Sequence, residues 1–226
     1  MRLLIFSIIY LTITSCASQL SEVSLPKPFI DIGNYIPEII IDARYASANN
    51  FTGKPVDGYF ANKCFLTKDT ALALKRVQEV LLEKRMILKV FDCYRPQRAV
   101  DQFIAWTKDL TDQDSKLEYY PNIGKDKLLG PYIAAQSGHS RGNTIDLTIM
   151  VSDNGEYYDL DMGSNYDLFD PKSHTKTDQI DSLQQKNRLL LKDAMEQFNF
   201  VNYELEWWHF SYQSEVSYPY FNFPVQ

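Results

Sequence analysis

Histidine is scarce in this 226-residue chain: there are three, at positions 139, 174 and 209. Cysteine is equally scarce, at positions 16, 64 and 93, and no two have the CxxC spacing of a zinc knuckle or a redox centre. Positive charge is outnumbered, with 23 Lys and Arg against 29 Asp and Glu and a formal charge of −6. That balance argues against binding to a phosphate backbone, which needs clustered cations, so no nucleic-acid partner is expected. Long apolar runs are missing as well. The longest apolar stretch near the start, Leu3 to Ile13, falls far short of the ~20 residues that span a bilayer. Internal repeats, low-complexity tracts and a second linker are also lacking. What is present is a 45% hydrophobic composition and 14% aromatics, enough for one globular domain with a full-sized core.

The opening "MRLLIFSIIYLTITSC" places a basic residue, Arg2, before the short apolar run and small polar residues after it, the layout of a secretory signal peptide. Ile13-Thr14-Ser15-Cys16 resembles a bacterial lipobox, in which the cysteine is acylated and becomes the mature N-terminus. A plain signal cut near Cys16 to Ser18 is the alternative. The lipobox reading divides the chain into a signal peptide (1–15), a Pro-interrupted tether (16–28) and one domain (29–226). It places the protein in the bacterial cell envelope, facing the periplasm or exterior, with membrane contact through an N-terminal lipid anchor on Cys16 only. In an oxidising compartment Cys64 and Cys93 are either a disulfide or two buried thiols, and both readings stand at this point.

Along the domain, "TKDTALALKRVQEVLLEKRM" repeats Ala71, Leu74, Val77, Val80 and Leu81 at helical spacing. "RPQRAVDQFIAWTKDL" puts Pro96 in a first turn and Ala99, Phe103 and Trp106 on one face. "DSLQQKNRLLLKDAMEQFNF" predicts a helix burying Leu189, Leu190, Ala194, Met195 and Phe198. "ILKVF" (87–91), "IDLTIMV" (145–151) and "EWWHFSY" predict strands, and Asn154-Gly155 a turn. The polar stretch from Thr107 to Gln136 reads as a long loop walling an active site. Together these predict an α+β fold: a single compact domain whose small antiparallel sheet carries the site and is flanked by helices.

Two of the three histidines stand close to carboxylates, in "SGHSRGNTID" and "ELEWWH". His139 and Asp146 flank Gly142, whose turn feeds a strand, and His209 supplies a third donor from another strand. Two imidazoles and one carboxylate match the donor set of a catalytic zinc site, with a fourth position left for water. Glu206, three residues before His209, is the natural general base for that water. On an ideal strand, however, residues three apart point to opposite faces, so a bend is required between them. Each histidine taken singly is also compatible with a packed or surface role, and His174 in "PKSHTK" reads as a solvated loop residue.

The larger pattern resembles the zinc D-alanyl-D-alanine dipeptidases of the vancomycin-resistance type, within the wider group of D-Ala-D-Ala metallopeptidases. The resemblance runs from about Asp42 to the C-terminus through "DARYASANNFTGKPVDGY", "YRPQRAV", "YYPNIG", "SGHSRGNTIDLT", "MGSNYD", "EWWHF" and "YFNFPV". It implies one Zn²⁺ per chain on His139, Asp146 and His209, with Glu206 as base. It further implies that Arg95 faces the oxyanion formed on the scissile carbonyl, and that Tyr45, Tyr59, Ser137 and Asp167 contact a small dipeptide substrate. Asp167 suits the ammonium; Ser137 and the backbone near Tyr59 suit the carboxylate. Thr144 departs from the Ala common in the wider group two residues before the Asp ligand. The implied reaction is hydrolysis of D-Ala-D-Ala to two D-alanines by metal-activated water. Two alternatives are a carboxypeptidase or endopeptidase acting on longer wall peptides and a non-catalytic, lipid-anchored wall-peptide binder.

Overall fold

The structure is a computed structural model describing residues 25–226. The signal peptide, Cys16 and the tether up to residue 24 lie outside the described residues. In chain order the elements are β1 (Phe29–Asp31), α1 (Ile32–Tyr35), β2 (Ile40–Ile41), β3 (Phe65–Thr67), α2 (Lys68–Leu82), β4 (Met86–Asp92), α3 (Gln97–Lys108), α4 (Lys116–Tyr119), β5 (Thr144–Asp153), β6 (Glu156–Asp159), α5 (Ser182–Glu196), β7 (Phe200–Asn202) and β8 (His209–Tyr212). The architecture is α+β. β1 and β3 form a two-stranded antiparallel sheet, and a six-stranded sheet runs β2-β4-β5-β8-β7 with β6 paired to β5. This larger sheet is antiparallel except for its β2–β4 pair. Among the described residues no helix is long and apolar enough to cross a membrane.

β5 lies at the centre of the sheet, between β4 and β8. From Thr144 to Met150 every side chain is buried, as suits a β-branched, apolar strand covered on both faces. The Asn154-Gly155 pair follows with φ of 51° and 88°, the left-handed geometry that closes the tight β5–β6 hairpin. α2 buries Ala71, Leu74, Val77 and Leu81 as its periodicity predicts, whereas Val80 is only half-buried. It is pinned to β4 by Gln78, whose side-chain oxygen accepts from the Leu88 amide at 2.8 Å. Within the long stretch after α3, buried Lys125 lies 3.9 Å from the centre of the Trp106 ring and donates to the Asp112 carbonyl at 2.7 Å. The first contact anchors the wall loop to α3 and the second ties the loop to itself.

The structure departs from sequence expectation at two elements. In α5 Met195 is buried and Leu190, Ala194 and Phe198 are half-buried against the core as expected, but Leu189 is not part of it, and the fully buried face is completed by Arg188 and Leu191. The Arg188 guanidinium donates to the carbonyls of Met162 (2.6 Å), Lys172 (2.9 Å) and His174 (2.6 Å), so a charged residue sits where apolar periodicity expects a leucine. Burial pushes its pKa down to about 10, which still leaves it charged at neutral pH. The other departure is "EWWHFSY". Only His209 to Tyr212 is strand, and Glu206 to Trp208 belong to the turn joining β7 to β8. There the Glu206 amide donates to the Tyr203 carbonyl at 2.9 Å and the His209 amide to the Glu206 carbonyl at 3.2 Å.

Gly142 ends the tight turn Gly138–Arg141 at φ 77°, a conformation that L side chains adopt only with strain. A Cβ there would come within 2.7 Å of Phe29 Cζ. Gly142→Ala is expected to lose roughly 2–5 kcal/mol through left-handed strain plus overpacking. Urea unfolding would measure it, and a loss below ~1 kcal/mol would show that the turn relaxes freely.

Candidate metal centre

Three neighbouring strands bring their functional residues into one row. Asp146 on β5 pairs directly with His209 on β8 and, on its other side, with Asp92 at the end of β4. Directly opposite residues in an antiparallel pair share a face, so both neighbours crowd the Asp146 carboxylate. The β4–β5 register slips between Val90 and Asp92, a bulge that turns Asp92 toward the row. His139 arrives from the turn that feeds β5, seven residues upstream of its partner. The C-terminal segment packs over that turn, with the Phe221 amide donating to the Ser140 carbonyl at 2.8 Å. Thr144 is accommodated by a 2.9 Å hydroxyl pair with its cross-strand partner Ser211.

The donor atoms of His139, Asp146 and His209 all lie within 4.8 Å of one another. His139 Nε2 is 3.4 Å from Asp146 Oδ1, His209 Nδ1 is 3.0 Å from the same oxygen, and the two ring nitrogens are 3.3 Å apart. The other nitrogen of His139 is 2.7 Å from the Cys93 carbonyl. A carbonyl only accepts, so Nδ1 carries the proton and Nε2 turns a lone pair to the centre. Asp146 Oδ1 is buried without a hydrogen-bond partner. A buried carboxylate oxygen facing imidazole nitrogens, with no donor of its own, is costly unless a cation sits there. The residues fit a divalent metal ion of borderline character.

Beside the trio is a cavity of about 270 Å³, whose lining includes Tyr45, Arg95, Tyr132, Ser137, Asp167 and Glu206. Ligand pockets commonly run ~300–1,000 Å³, so this one suits a small ligand. Residues 130–134 of the long loop form one wall, and Tyr203 in the β7–β8 turn donates to the Pro131 carbonyl at 2.8 Å. The same turn resolves the spacing problem of "ExWH": Glu206 Oε2 reaches 3.5 Å from His209 Nδ1. Burial pushes the Glu206 carboxyl well above its ordinary range, the Asp146 charge adds to this, and Arg95 opposes it. A carboxyl raised in this way holds a proton more readily. For Asp146 burial also acts upward, but the two imidazoles outweigh it and hold the carboxyl below its usual range.

Arg95 is clamped. Its Nε and Nη2 both lie 2.9 Å from Asp92 Oδ2, and Nη2 is 3.6 Å from Asp146 Oδ2. The rings of Tyr45 and Phe103 lie against the guanidinium at 5.1 and 5.2 Å. Burial works against its charge, but Asp92 together with Tyr45, Tyr59 and Tyr166 outweighs it, so the cation persists. Asp167 is buried at φ 61°, a left-handed position that Asp tolerates. Both its oxygens accept from the Tyr45 hydroxyl, at 3.2 and 2.9 Å. Burial raises the Asp167 carboxyl, the Asp146 charge raises it further, and Arg95 and the Tyr45 hydrogen bond oppose this. Ser137 lines the cavity and its hydroxyl accepts from the His139 amide at 3.3 Å.

Tyr59 is placed differently from the expectation of a substrate contact. It does not line the cavity, its hydroxyl donates to Asp92 Oδ1 at 2.6 Å, and its amide is taken by the Val56 carbonyl at 3.1 Å. It therefore braces the acid that clamps Arg95. Cys64 and Cys93 meet as a disulfide with Cα atoms 5.3 Å apart, next to the carbonyl that orients His139. His174 stands apart from the centre, half-buried on a turn held by Arg188. Two residues of the site escape a reading of the sequence. Asp92 ends an apolar strand with no motif around it, and Tyr166 is one tyrosine among fifteen.

A family model described as D-ala-D-ala dipeptidase matches residues 27–226. The chain is 45% identical over 187 residues to a D-alanyl-D-alanine dipeptidase of Enterococcus faecalis, covering 81% of this chain and 91% of the relative. It is 42% identical over 200 residues to one of Streptomyces coelicolor (87% and 98% covered) and 34% identical over 190 residues to one of Escherichia coli (84% and 87% covered).

A metal assay tests the trio directly. The purified protein is expected to hold about one divalent ion per chain, and His139→Ala to lose it on elemental analysis after gel filtration. Full occupancy in His139→Ala would remove His139 from the ligand set.

Proposed function

The chain belongs to the D-Ala-D-Ala dipeptidase family, and from that premise we propose that it is a zinc-dependent dipeptidase that hydrolyses D-Ala-D-Ala to two D-alanines. One observation carries the proposal beyond family membership: two buried carboxylates, Glu206 and Asp167, share one small cavity with the His139–Asp146–His209 trio. A dipeptide needs one carboxylate for the proton of the attacking water and another for its free ammonium.

Zinc on the trio would supply Lewis acidity, acidifying water and polarising the scissile carbonyl. The remaining work falls to the chain. Asp167, held by Tyr45, pairs with the substrate ammonium and sets how far the peptide bond enters the cavity. Ser137 lies by the other end, suited to the terminal carboxylate. Glu206 accepts the proton of the water as its oxygen bonds to the carbonyl carbon. It then returns that proton to the departing amine as the C–N bond breaks, which closes the proton balance. The Arg95 guanidinium, already fixed by Asp92, meets negative charge that develops only in the transition state, so no reorganisation is required at that moment. A pure binder would have no use for the buried base at Glu206.

Export is proposed on the N-terminal residues: removal of residues 1–15 and acylation of Cys16, with the domain held at the envelope. Intact mass of the mature protein checks this, since an unmodified N-terminus would refute the anchor.

The activity is tested in one series. Glu206→Gln is expected to keep its zinc and lose ~10²–10⁴-fold in turnover, the usual contribution of a positioned base. Acetylating the amine of D-Ala-D-Ala is expected to nearly abolish cleavage by the parent. Asp167→Asn, which tolerates the same left-handed backbone, should lose activity on the free dipeptide and discriminate far less against the acetylated one. Efficient cleavage of acetyl-D-Ala-D-Ala by the parent would instead point to a carboxypeptidase acting on longer wall peptides.

A further inference from the structure

Tyr166 has a hydroxyl that packing does not require. Its ring stacks on Phe91 at 4.6 Å and 25° and meets Trp208 edge-on at 5.3 Å. A phenylalanine would make those contacts equally well. The hydroxyl projects from this locked ring to a point 3.1 Å from Asp146 Oδ2 and 3.1 Å from the Tyr45 hydroxyl. Tyr45 in turn donates to Asp167. The Tyr166 hydroxyl thus stands between Asp146 and the Tyr45–Asp167 pair, within hydrogen-bond reach of Asp146. The left-handed backbone at Asp167 helps bring this about, because it lets two adjacent residues both turn into the site.

We propose that the Tyr166 hydroxyl is a positioning group that holds Asp146 in the orientation of a one-oxygen metal ligand. A carboxylate can offer a metal either oxygen or both. Here Oδ2 is engaged by Tyr166, with the Arg95 guanidinium 3.6 Å away, whereas Oδ1 faces the two imidazoles with no donor. The ionised carboxylate is the stronger of the two acceptors within reach, so the Tyr166 proton goes to Asp146 and that of Tyr45 to Asp167. Fixing the outer oxygen of a ligand in this way typically changes metal affinity by ~10–100-fold.

The inference rests on the metal-dependent reading of the site, and its test reads zinc affinity rather than turnover. Apo-protein is titrated with zinc against a competing chelator for the parent, Tyr166→Phe and Tyr45→Phe, with thermal unfolding of each apo form alongside. Tyr166→Phe is expected to bind zinc about tenfold or more weakly while its apo midpoint stays close to that of the parent. Its cleavage of D-Ala-D-Ala should fall at limiting zinc and recover most of its rate at saturating zinc, a rescue that general loosening of the core would not give. Tyr45→Phe, which removes the hydroxyl on Asp167 but none on Asp146, should keep zinc affinity within about twofold. Equal zinc affinity in the parent and Tyr166→Phe overturns the inference alone, as does equal weakening in both variants. A parent that binds no zinc overturns the metal reading of the site, and this inference with it.

Discussion

The Asp146 carboxylate is an anion buried at the middle of a sheet, and the site is organised by the need to stabilise it. Burial alone would drive it to protonate, yet the groups around it hold it ionised. Two imidazoles lie against one oxygen. The other takes the Tyr166 hydroxyl and faces Arg95. Arg95 is itself a buried cation and needs Asp92, which is braced by Tyr59. Removing any one of these partners leaves another charge or hydroxyl without its complement, the condition that makes buried polar networks all-or-none. The oxygen that no side-chain donor satisfies is the one the metal would take.

Holding such a network requires a frame that cannot give, and three devices supply it. The β4 bulge turns Asp92 into the row formed by β5 and β8. The Cys64–Cys93 disulfide ties β3 to the segment whose carbonyl fixes the His139 tautomer. Arg188 gathers the carbonyls of Met162, Lys172 and His174, closing the loop that presents Tyr166 and Asp167. The loop, which also buries Met162, Tyr166 and Phe169, is thereby held by hydrogen bonds to a buried cation, which are stronger than bonds between neutral groups. The chemistry thus sits on strands and on one strapped loop, so the rigidity of the sheet passes to side chains that must stay within fractions of an ångström of their places.

Substrate size follows from the same frame. Residues 130–134 and the β7–β8 turn, joined by Tyr203 and Pro131, wall a cavity at the small end of the ligand-pocket range. Glu206 lies in this turn and His209 directly follows it, so the element that brings the Glu206 carboxylate to the trio also limits the room beside it.

The sequence by itself determined whatever depends on near neighbours. The apolar rhythm of α2, the run of β5, the Asn154-Gly155 hairpin and the seven-residue interval from His139 to Asp146 are short-range patterns, and each is found where the residues predict. The residue types of the trio and the order of the family blocks likewise need no coordinates. Only the tertiary structure decided the rest. α5 shows an arginine inward because its partners are carbonyls on a loop far from it in the chain, which no helical periodicity encodes. Glu206 meets His209 because a turn precedes the strand, and residue types do not specify that bend. Tyr59 turned from substrate contact to brace once Asp92 stood beside it. Asp92 and Tyr166 carry no local mark at all, because their roles arise from partners brought together by strand register and loop closure. The Tyr45–Asp167 bond spans 122 residues and the His139–Cys93 bond 46, and contacts of that range exist only once the sheet has formed.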